Sequence, residues 1–286
     1  MSFLNRQPMS RTSLVGPALP RVLKFLAPAA LLTGLAMGLG GCVIGGGANF
    51  KETRVSEVAS VAGSAVRVTS QNGAVAVRRT QRPDVRISAE LRATSAERLK
   101  GATIRAERDA QGALVISTDW PEGGPKGGEG VSFDIQLPEA SGVTLETTNG
   151  QIIISGLTGP ARLSTSNGAI SVQEHTGDID ATTSNGSLGL RDVTGRIDAQ
   201  TSNGSADVTL TSASAGPVRV VTTNGNASLS FGAGLTGTIK ARTSNGTLTL
   251  PAGAEMSSAT AGTLKLSEGP ESTITASNGS VTVTRR

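Results

Sequence analysis

The sequence predicts an all-β fold: a single-stranded parallel β-helix, or solenoid, with coils of about 18 residues. Three observations predict it. Spacings between Asn-Gly pairs are 18, 18, 18, 21, 21 and 33 residues from Asn149 onward. A second turn, Thr-Gly, recurs at Thr158, Thr176, Thr194 and Thr236. Asn-Gly followed by alternating apolar residues occurs eight times, at Asn72, Asn149, Asn167, Asn185, Asn203, Asn224, Asn245 and Asn278. A short repeat of this kind indicates stacked units, each too small to bury its own apolar face.

Residues 179–195 illustrate one coil. The first strand directs Ile179, Ala181 and Thr183 to one side, and the second directs Leu188 and Leu190 to the same core. Alternation with a period of two on both strands predicts one buried and one solvated face. Across the coils, the position four residues before each Asn is aliphatic, the position six before it is aliphatic in seven of the eight coils, and the position two before it carries a hydroxyl in most coils. We therefore expect stacked aliphatic ladders with a buried threonine ladder beside the turn.

Asn-Gly between strands also favours a rival structure, an antiparallel meander of hairpins. A parallel solenoid is preferred because like residues recur in phase and two different turns recur. Asn tolerates left-handed backbone and Gly any φ, which a sharp corner requires. We expect a structural turn ladder of bonded side chains at Asn149, Asn167, Asn185, Asn203, Asn224, Asn245 and Asn278.

The coil pattern breaks in two places. Residues 54–138 form an irregular, partly helical N-terminal part, with strands predicted at 85–91, 103–107, 114–118 and 131–137. A short helix is predicted over 95–101 with Ser95 as its N-cap, and the whole part is expected to cap or broaden that end. In the 33-residue gap, Ala261 to Leu266 matches the repeat with Ala in place of Asn, which predicts a degenerate coil. Regular coils are expected over 139–286.

The first 41 residues are predicted to be a cleaved signal peptide. They contain four basic residues and no acidic one, then an apolar run over 25–39 that ends in Leu39-Gly40-Gly41-Cys42. This ending resembles the lipobox of bacterial lipoproteins, which implies lipid attachment at Cys42. The alternative is an ordinary secretory signal with a chance cysteine. Residues 42–53, with three consecutive glycines, are predicted to be a flexible tether, and residues 54–286 the solenoid domain.

Composition excludes several classes of function. Loss of the signal lowers the basic residues from 26 to 22, equal to the 22 acidic residues, so no electrostatic footprint for nucleic acid is expected. Beyond residue 41 the aromatic residues are three phenylalanines and Trp120, which argues against stacking platforms for bases or sugars. Cys42 is the only cysteine, so no disulfide within the chain is possible.

From about residue 54 to the end, the chain resembles a large bacterial family known as putative adhesins, whose biochemical function is unknown. The shared features are the recurring Thr-Ser-Asn-Gly coil, an early Asn-Gly coil followed by a charged strand–helix–strand stretch, and the Val-x-Phe-x-Ile-x-Leu-Pro strand at 131–138. The resemblance implies a β-solenoid at the cell envelope, often lipid-anchored, and carries over no catalytic residues.

Candidate chemical groups are few. Asp180 and Asp198 occupy the same coil position, which would suit acid–base chemistry. Since that position runs Arg162, Asp180, Asp198, Arg219, Lys240, an exposed charge ladder is the preferred interpretation. His175, the only histidine, is interpreted as a surface turn residue rather than a catalytic base. Zinc, repeat-type calcium and phosphate-loop motifs are absent, so no cofactor is expected.

The primary hypothesis is a lipid-anchored, non-enzymatic, adhesin-like binding scaffold of the cell envelope. Its partners are predicted to be the membrane, through the lipid, and an envelope protein or glycan, without nucleic acid. Two alternatives remain open: a polysaccharide-active β-helix enzyme and a self-associating structural protein. Val43 after the lipidated cysteine favours the outer membrane in a double-membrane host, because sorting rules retain Asp at that place in the inner membrane.

Overall fold

Two long β-sheets face each other across one apolar core in the computed structural model, which describes residues 50–286. The predicted signal peptide and Cys42 lie outside the described residues. Each regular coil contributes one strand to a 12-stranded sheet and the next to an 11-stranded sheet. The regular coils comprise β8 (Val143–Asn149), β9 (Ile152–Ser155), β10 (Ala161–Asn167), β11 (Ile170–Gln173), β12 (Ile179–Asn185), β13 (Leu188–Val193), β14 (Ile197–Asn203), β15 (Ala206–Leu210), β16 (Val218–Asn224) and β17 (Ala227–Phe231).

The strands on either side of each Asn-Gly turn lie in different sheets, and each pairs in parallel with its counterpart in the next coil. Thus Ile179 lies opposite Ile197 and Asn185 opposite Asn203, while Leu188 lies opposite Ala206 in the other sheet. The parallel solenoid is confirmed and the antiparallel meander is wrong. The predicted aliphatic ladders are buried between the two sheets. In the coil of Asn278 the buried Ser272 takes the aliphatic place and lies opposite Ile239.

The N-terminal part extends both sheets with irregular strands. It comprises β1 (Phe50–Ala59), β2 (Val66–Thr69), β3 (Val75–Arg79), β4 (Asp84–Ala93), α1 (Ala96–Gly101), β5 (Thr103–Arg108), β6 (Leu114–Asp119) and β7 (Gly130–Leu137). The helix begins after Ser95, whose hydroxyl accepts from the amide of Arg98, as predicted. One boundary was wrong: residues 50–53 of the predicted tether belong to β1, which pairs antiparallel with β4. Exposed and half-buried residues alternate along β1, which is the pattern of a strand with one face against the protein and one face in solvent.

The order of coils in space differs from their order in the chain at both ends. The coil β2–β3 lies between the coil β6–β7 and the coil β8–β9. After β3 the chain therefore forms the coil β6–β7 on one side of β2–β3, and then continues with the coil β8–β9 on the other side. At the other end, the last strands of the chain insert beneath an earlier coil. The elements at this end of the solenoid are β18 (Thr238–Asn245), β19 (Leu248–Thr249), β20 (Glu255–Ser258), β21 (Ala261–Lys265), β22 (Glu271–Asn278) and β23 (Val281–Arg285), of which only β22 and β23 are inserted.

Strands β22 and β23 lie between the coil of Asn224 and the coil of Asn245. The predicted degenerate coil at Ala261 is therefore wrong: β21 runs antiparallel to β18 and forms a hairpin with β20 at the sheet edge. The sequence contains the reason, since the positions six and four before Ala261 are Glu255 and Ser257, not aliphatic residues. The coil of Asn245 suits the end because β19 has only two residues and Pro251 follows closely.

Candidate functional site

A ladder of hydrogen-bonded asparagines, the asparagine ladder, runs along the corner where each coil passes from one sheet to the other. Asn185 Nδ2 donates to Asn167 Oδ1 at 2.8 Å, and Asn203 Nδ2 donates to Asn185 Oδ1 at 2.9 Å. Asn72 Nδ2 ends the series by donating to the carbonyl of Glu129 at 2.8 Å. In spatial order the ladder is Asn72, Asn149, Asn167, Asn185, Asn203, Asn224, Asn278 and Asn245. The ladder thus joins the predicted turn asparagines, with the last two exchanged relative to the chain.

Buried threonine hydroxyls tie each coil to the turn of its neighbour. Thr183 Oγ1 donates to the carbonyl of Gly168 at 2.9 Å, and Thr201 Oγ1 donates to that of Gly186 at 2.8 Å. The same bond is made by Thr147, Thr165, Thr222 and Thr243. Turn backbone, rather than neighbouring hydroxyls, therefore satisfies the threonine ladder.

The turn glycine is required by close packing. A Cβ on Gly186 would overlap the carbonyl oxygen of Gly168 in the coil beneath. The expectation that the turn asparagine uses left-handed backbone is wrong, because positive φ among non-glycine residues of 50–286 is confined to Glu122, Glu174 and Asp192. At the opposite corner the earlier reason holds, since Gly177 and Gly195 have φ of 136° and 97°.

Outside the asparagine ladder lies a second row, which we call the hydroxyl row. It consists of the residue before each turn asparagine from Asn149 onward, and its members are exposed except for half-buried Ser277. In spatial order the hydroxyl row is Thr148, Ser166, Ser184, Ser202, Thr223, Ser277 and Ser244. The ladder amides are occupied with one another, whereas these side chains bond no other residue of the described range. The corner therefore displays a regular, neutral, hydrogen-bonding surface.

The charged column on the same sheet is neutralised locally. Asp180 pairs with Arg196, and Asp198 with Arg219 at 2.9 Å. One part of the predicted order was wrong: Thr273 of the inserted strand lies between Arg219 and Lys240, and Lys240 pairs with Glu271. Arg162 lies opposite Asp180 in register. The two aspartates lie opposite each other in register, as expected, and form part of a solvated ion-pair network.

His175 is buried, so its interpretation as a surface turn residue was wrong. It is 1% exposed and lies at the second corner, where Leu157 and Val193 occupy the equivalent place in the neighbouring coils. Its Nε2 donates to the carbonyl of Gly159 at 2.8 Å, and its buried Nδ1 bonds no described residue. Burial lowers the pKa of the His175 imidazole below its usual value, while the bond to Gly159 acts in the opposite direction. The ring therefore fills a corner that is occupied by aliphatic side chains in the neighbouring coils.

A cleft of about 330 Å³ opens at the N-terminal end of the hydroxyl row. It contains Trp120, the only tryptophan of the chain, and we call it the Trp120 cleft. The loop after β6 carries Trp120 and Pro125 to one wall, and the turn after β2 forms the other. The polar lining side chains are Thr69, Ser70, Gln71, Asn72, Ser117, Thr118 and Thr148.

A buried ion pair holds the loop that forms this wall. Glu129 is 0% exposed, and Arg98 of α1 donates to both of its oxygens, at 2.7 Å from Nε and 2.7 Å from Nη2. The Glu129 carboxylate also accepts from the amide and hydroxyl of Thr94 and the amide of Lys126. Arg98 and these hydrogen bonds hold the pKa of the Glu129 carboxyl far below its usual range, against the effect of burial. Arg98 further binds two carbonyls of the loop, those of Pro121 and Gly124.

The sequence does not predict this ion pair or the cleft. A glutamate inside a glycine-rich loop, directly before the buried strand β7, was the available signal, but its partner is 31 residues away. The composition shows that aromatic residues are scarce, but it does not predict that Trp120 lines a cleft. Within residues 50–286 no group of three or more His, Cys, Asp or Glu is arranged to hold a metal ion. No helix in this range has the length and apolarity needed to span a membrane.

Comparison with known proteins concerns the fold. A crystal structure described as a putative cell adhesion protein from Clostridium sporogenes is 13% identical, with a TM-score of 0.36, over 83% of this chain and 100% of that one. A putative adhesin from Bacteroides fragilis is 7% identical, with a TM-score of 0.41, over 82% and 97%. A putative lipid binding protein from Parabacteroides distasonis is 12% identical, with a TM-score of 0.35, over 84% and 98%. No protein-family model and no curated protein matches the chain.

Proposed function

We propose that the protein is a non-enzymatic binding scaffold of the cell envelope, anchored by lipid on Cys42. The observation that carries this proposal is the corner of the solenoid, where the asparagine ladder and the hydroxyl row present one repeating surface along all the regular coils. Strand spacing of about 4.8 Å sets the distance between successive hydroxyls. A surface of this regularity suits an extended partner that meets the same groups at each coil.

The charged groups support binding over catalysis. Each candidate carboxylate of the column, Asp180 and Asp198, is engaged by an arginine. His175 is enclosed in the core and bonded to a backbone carbonyl. Enzymes hold a nucleophile, base and stabilising donors around one reacting atom. The described residues bring together no such set, so the regular surface is the stronger basis for a function.

The first experiment is capture of the partner from envelope of the source bacterium. Full-length, lipid-modified protein is crosslinked in detergent-solubilised envelope, and the bound material is identified. Ser184→Arg in the hydroxyl row is expected to reduce capture, whereas Ser171→Arg on the outer face of the other sheet is the matched control. A partner captured equally by both variants would contradict binding at the corner, and processed polysaccharide fragments would favour an enzyme.

Membrane attachment at the outer membrane is a separate part of the proposal. It rests on the basic and apolar residues of the predicted signal, on Cys42, and on Val43 after it. Metabolic labelling with a palmitate analogue is expected to mark the wild-type chain and not Cys42→Ser. Fractionation is expected to place the labelled chain with the outer membrane. Label retained by Cys42→Ser, or chain found free of membrane, would contradict the anchor.

Self-association is a second candidate function, favoured by the C-terminal end of the solenoid. Edge strand β20 exposes Met256, which is 52% accessible, and half-buried Leu248 and Leu250 lie in the same end. An exposed strand edge with apolar side chains is a template for pairing with another chain. Sedimentation coefficients that rise with concentration for wild type, but not for Met256→Lys, would support it.

A further inference from the structure

The Trp120 cleft and the hydroxyl row are continuous. Gln71 takes the place of the row hydroxyl in the coil β2–β3, and both Gln71 and Thr148 line the cleft. The row thus begins at the cleft and proceeds along the regular coils to Ser244 at the far end. A ligand that occupies the cleft and extends along this corner would meet one hydroxyl per coil.

The chemistry of the cleft selects a neutral ligand with hydroxyl groups. None of its lining residues is charged; they are hydroxyls, two amides, the indole of Trp120, Pro125 and backbone. A volume of about 330 Å³ lies at the small end of ligand pockets, which span about 300 to 1,000 Å³. An indole offers an apolar ring face beside a polar edge. This combination fits a sugar ring, which has C–H faces and a rim of hydroxyls.

Contacts within the protein hold both walls of the cleft in place. Arg98 Cζ lies 5.9 Å from the centroid of the Trp120 ring, a cation–π distance, and Arg98 itself is fixed by Glu129. On the other wall, Ser70 Oγ donates to the carbonyl of Val131 at 2.8 Å. Rigid walls reduce the entropy lost on binding, which favours a weakly interacting neutral ligand.

We propose that the Trp120 cleft binds one sugar ring of a neutral, unbranched glycan whose following units lie along the hydroxyl row. This inference rests on the proposed function of a binding scaffold and identifies its ligand class. Nucleic acid is disfavoured because no charged residue lines the cleft to meet a phosphate, and the nearby Arg98 is paired with Glu129. A proline-rich peptide is disfavoured because grooves for such peptides are lined by several aromatic rings, and this cleft has one.

Because Trp120 is the only tryptophan, intrinsic fluorescence reports on this cleft alone. The full chain in detergent micelles is titrated with four neutral hexasaccharides: cellohexaose, chitohexaose, maltohexaose and xylohexaose. Oligogalacturonate and decaproline are the charged and peptide probes. Saturable change with at least one neutral hexasaccharide is expected. No response to any of the four, or a response only to oligogalacturonate or decaproline, would overturn the proposal.

Variants locate the binding. Calorimetry is expected to show roughly tenfold or weaker affinity for Trp120→Ala and near-wild-type affinity for Trp120→Phe, which keeps an aromatic face. Ser184→Arg should weaken the hexasaccharide but not the disaccharide of the same sugar, which extends only to Ser166, and Ser171→Arg should affect neither. Circular dichroism confirms that each variant is folded, and Thr148→Arg replaces Trp120→Ala if that chain fails to fold. Unchanged affinity in the folded cleft variant would overturn the proposal.

The proposed glycan and the proposed scaffold are overturned by different results. Capture of a protein partner at the hydroxyl row, without saccharide binding, would overturn the glycan and leave the scaffold. Saccharide binding in the cleft that is insensitive to Ser184→Arg would keep the cleft and overturn the extension along the row. If the wild-type chain neither captures an envelope partner nor binds a saccharide, the proposed function itself is overturned.

Discussion

Thr183→Val tests how the coils are held together at the asparagine corner. The substitution keeps the branched shape of the side chain and removes only its hydroxyl. Thr183 is buried, and its Oγ1 donates to the carbonyl of Gly168 at 2.9 Å. Valine in its place leaves that carbonyl without its hydroxyl donor at a half-buried position.

The magnitude follows from the bond that is lost. A buried acceptor left unpaired costs about 1–3 kcal/mol, and partial access of water to Gly168 places the expected loss near the lower end, about 1–2 kcal/mol. For a domain of this size such a loss lowers the melting temperature by roughly 2–8 °C. The bond joins two coils, so the loss is expected in unfolding of the regular coils rather than in one strand.

The assay is urea unfolding followed by far-ultraviolet circular dichroism, with Thr182→Val as the matched control. Thr182 precedes Thr183 on the same strand and is exposed. The control is expected to change the free energy of unfolding by less than about 0.5 kcal/mol. Equal effects of the two substitutions, or a Thr183→Val chain as stable as wild type, would refute the role of the threonine ladder.

Three further predictions concern His175, Glu129 and Ala276. Burial lowers the pKa of His175 below the value of about 6.5 expected in the unfolded chain. The neutral buried ring therefore contributes its full stabilisation above about pH 6.5, and the free energy of unfolding falls as the pH drops below that value. In urea unfolding measured from pH 7.5 to 5, His175→Leu is expected to remove this dependence of the free energy of unfolding on pH. An equal slope in the variant would contradict the assignment. Glu129→Gln leaves Arg98 with a neutral partner and is expected to cost about 3–5 kcal/mol, seen as faster amide exchange in α1 and β4, whereas Glu139→Gln at an exposed site serves as control. Because the pKa of the Glu129 carboxyl is lowered in the folded chain, its contribution to stability is present above about pH 4.5 and is lost as the pH falls through the lowered pKa. Amide exchange in α1 and β4 of the wild-type chain that does not change with acid would contradict this prediction. Ala276→Thr restores the hydroxyl missing from the threonine ladder and is expected to add about 1 kcal/mol in the same urea assay, and a destabilised variant would show that the site has no room for it.

The regular coils could be predicted because their determinants are local and repeated. Alternation around Asn-Gly assigns residues such as Ile179 and Leu188 to the interior without knowledge of any partner. Identical spacing then brings Asn185 opposite Asn203. The helix after Ser95 was predicted for the same reason, since its cap and its charges lie within a few residues.

The binding region could not be predicted because it depends on contacts between distant segments. Gln71, Trp120 and Thr148 meet only because the coil β2–β3 lies between two coils that come later in the chain. Glu129 is charged in the sequence, yet its burial is possible only once Arg98, Thr94 and the loop amides surround it. No period or spacing expresses such a set.

By itself, the sequence determined the coil, its two corners and which residues face the core, because alternating polarity and turn chemistry act over a few residues. Only the tertiary structure decided the order in which the coils stack. The last two strands of the chain, β22 and β23, lie within the stack of coils rather than at its end. They carry core residues suited to neighbours on both sides, whereas the second strand of the coil of Asn245 has only two residues. That choice is a competition between whole coils for sheet edges, which no local pattern can express.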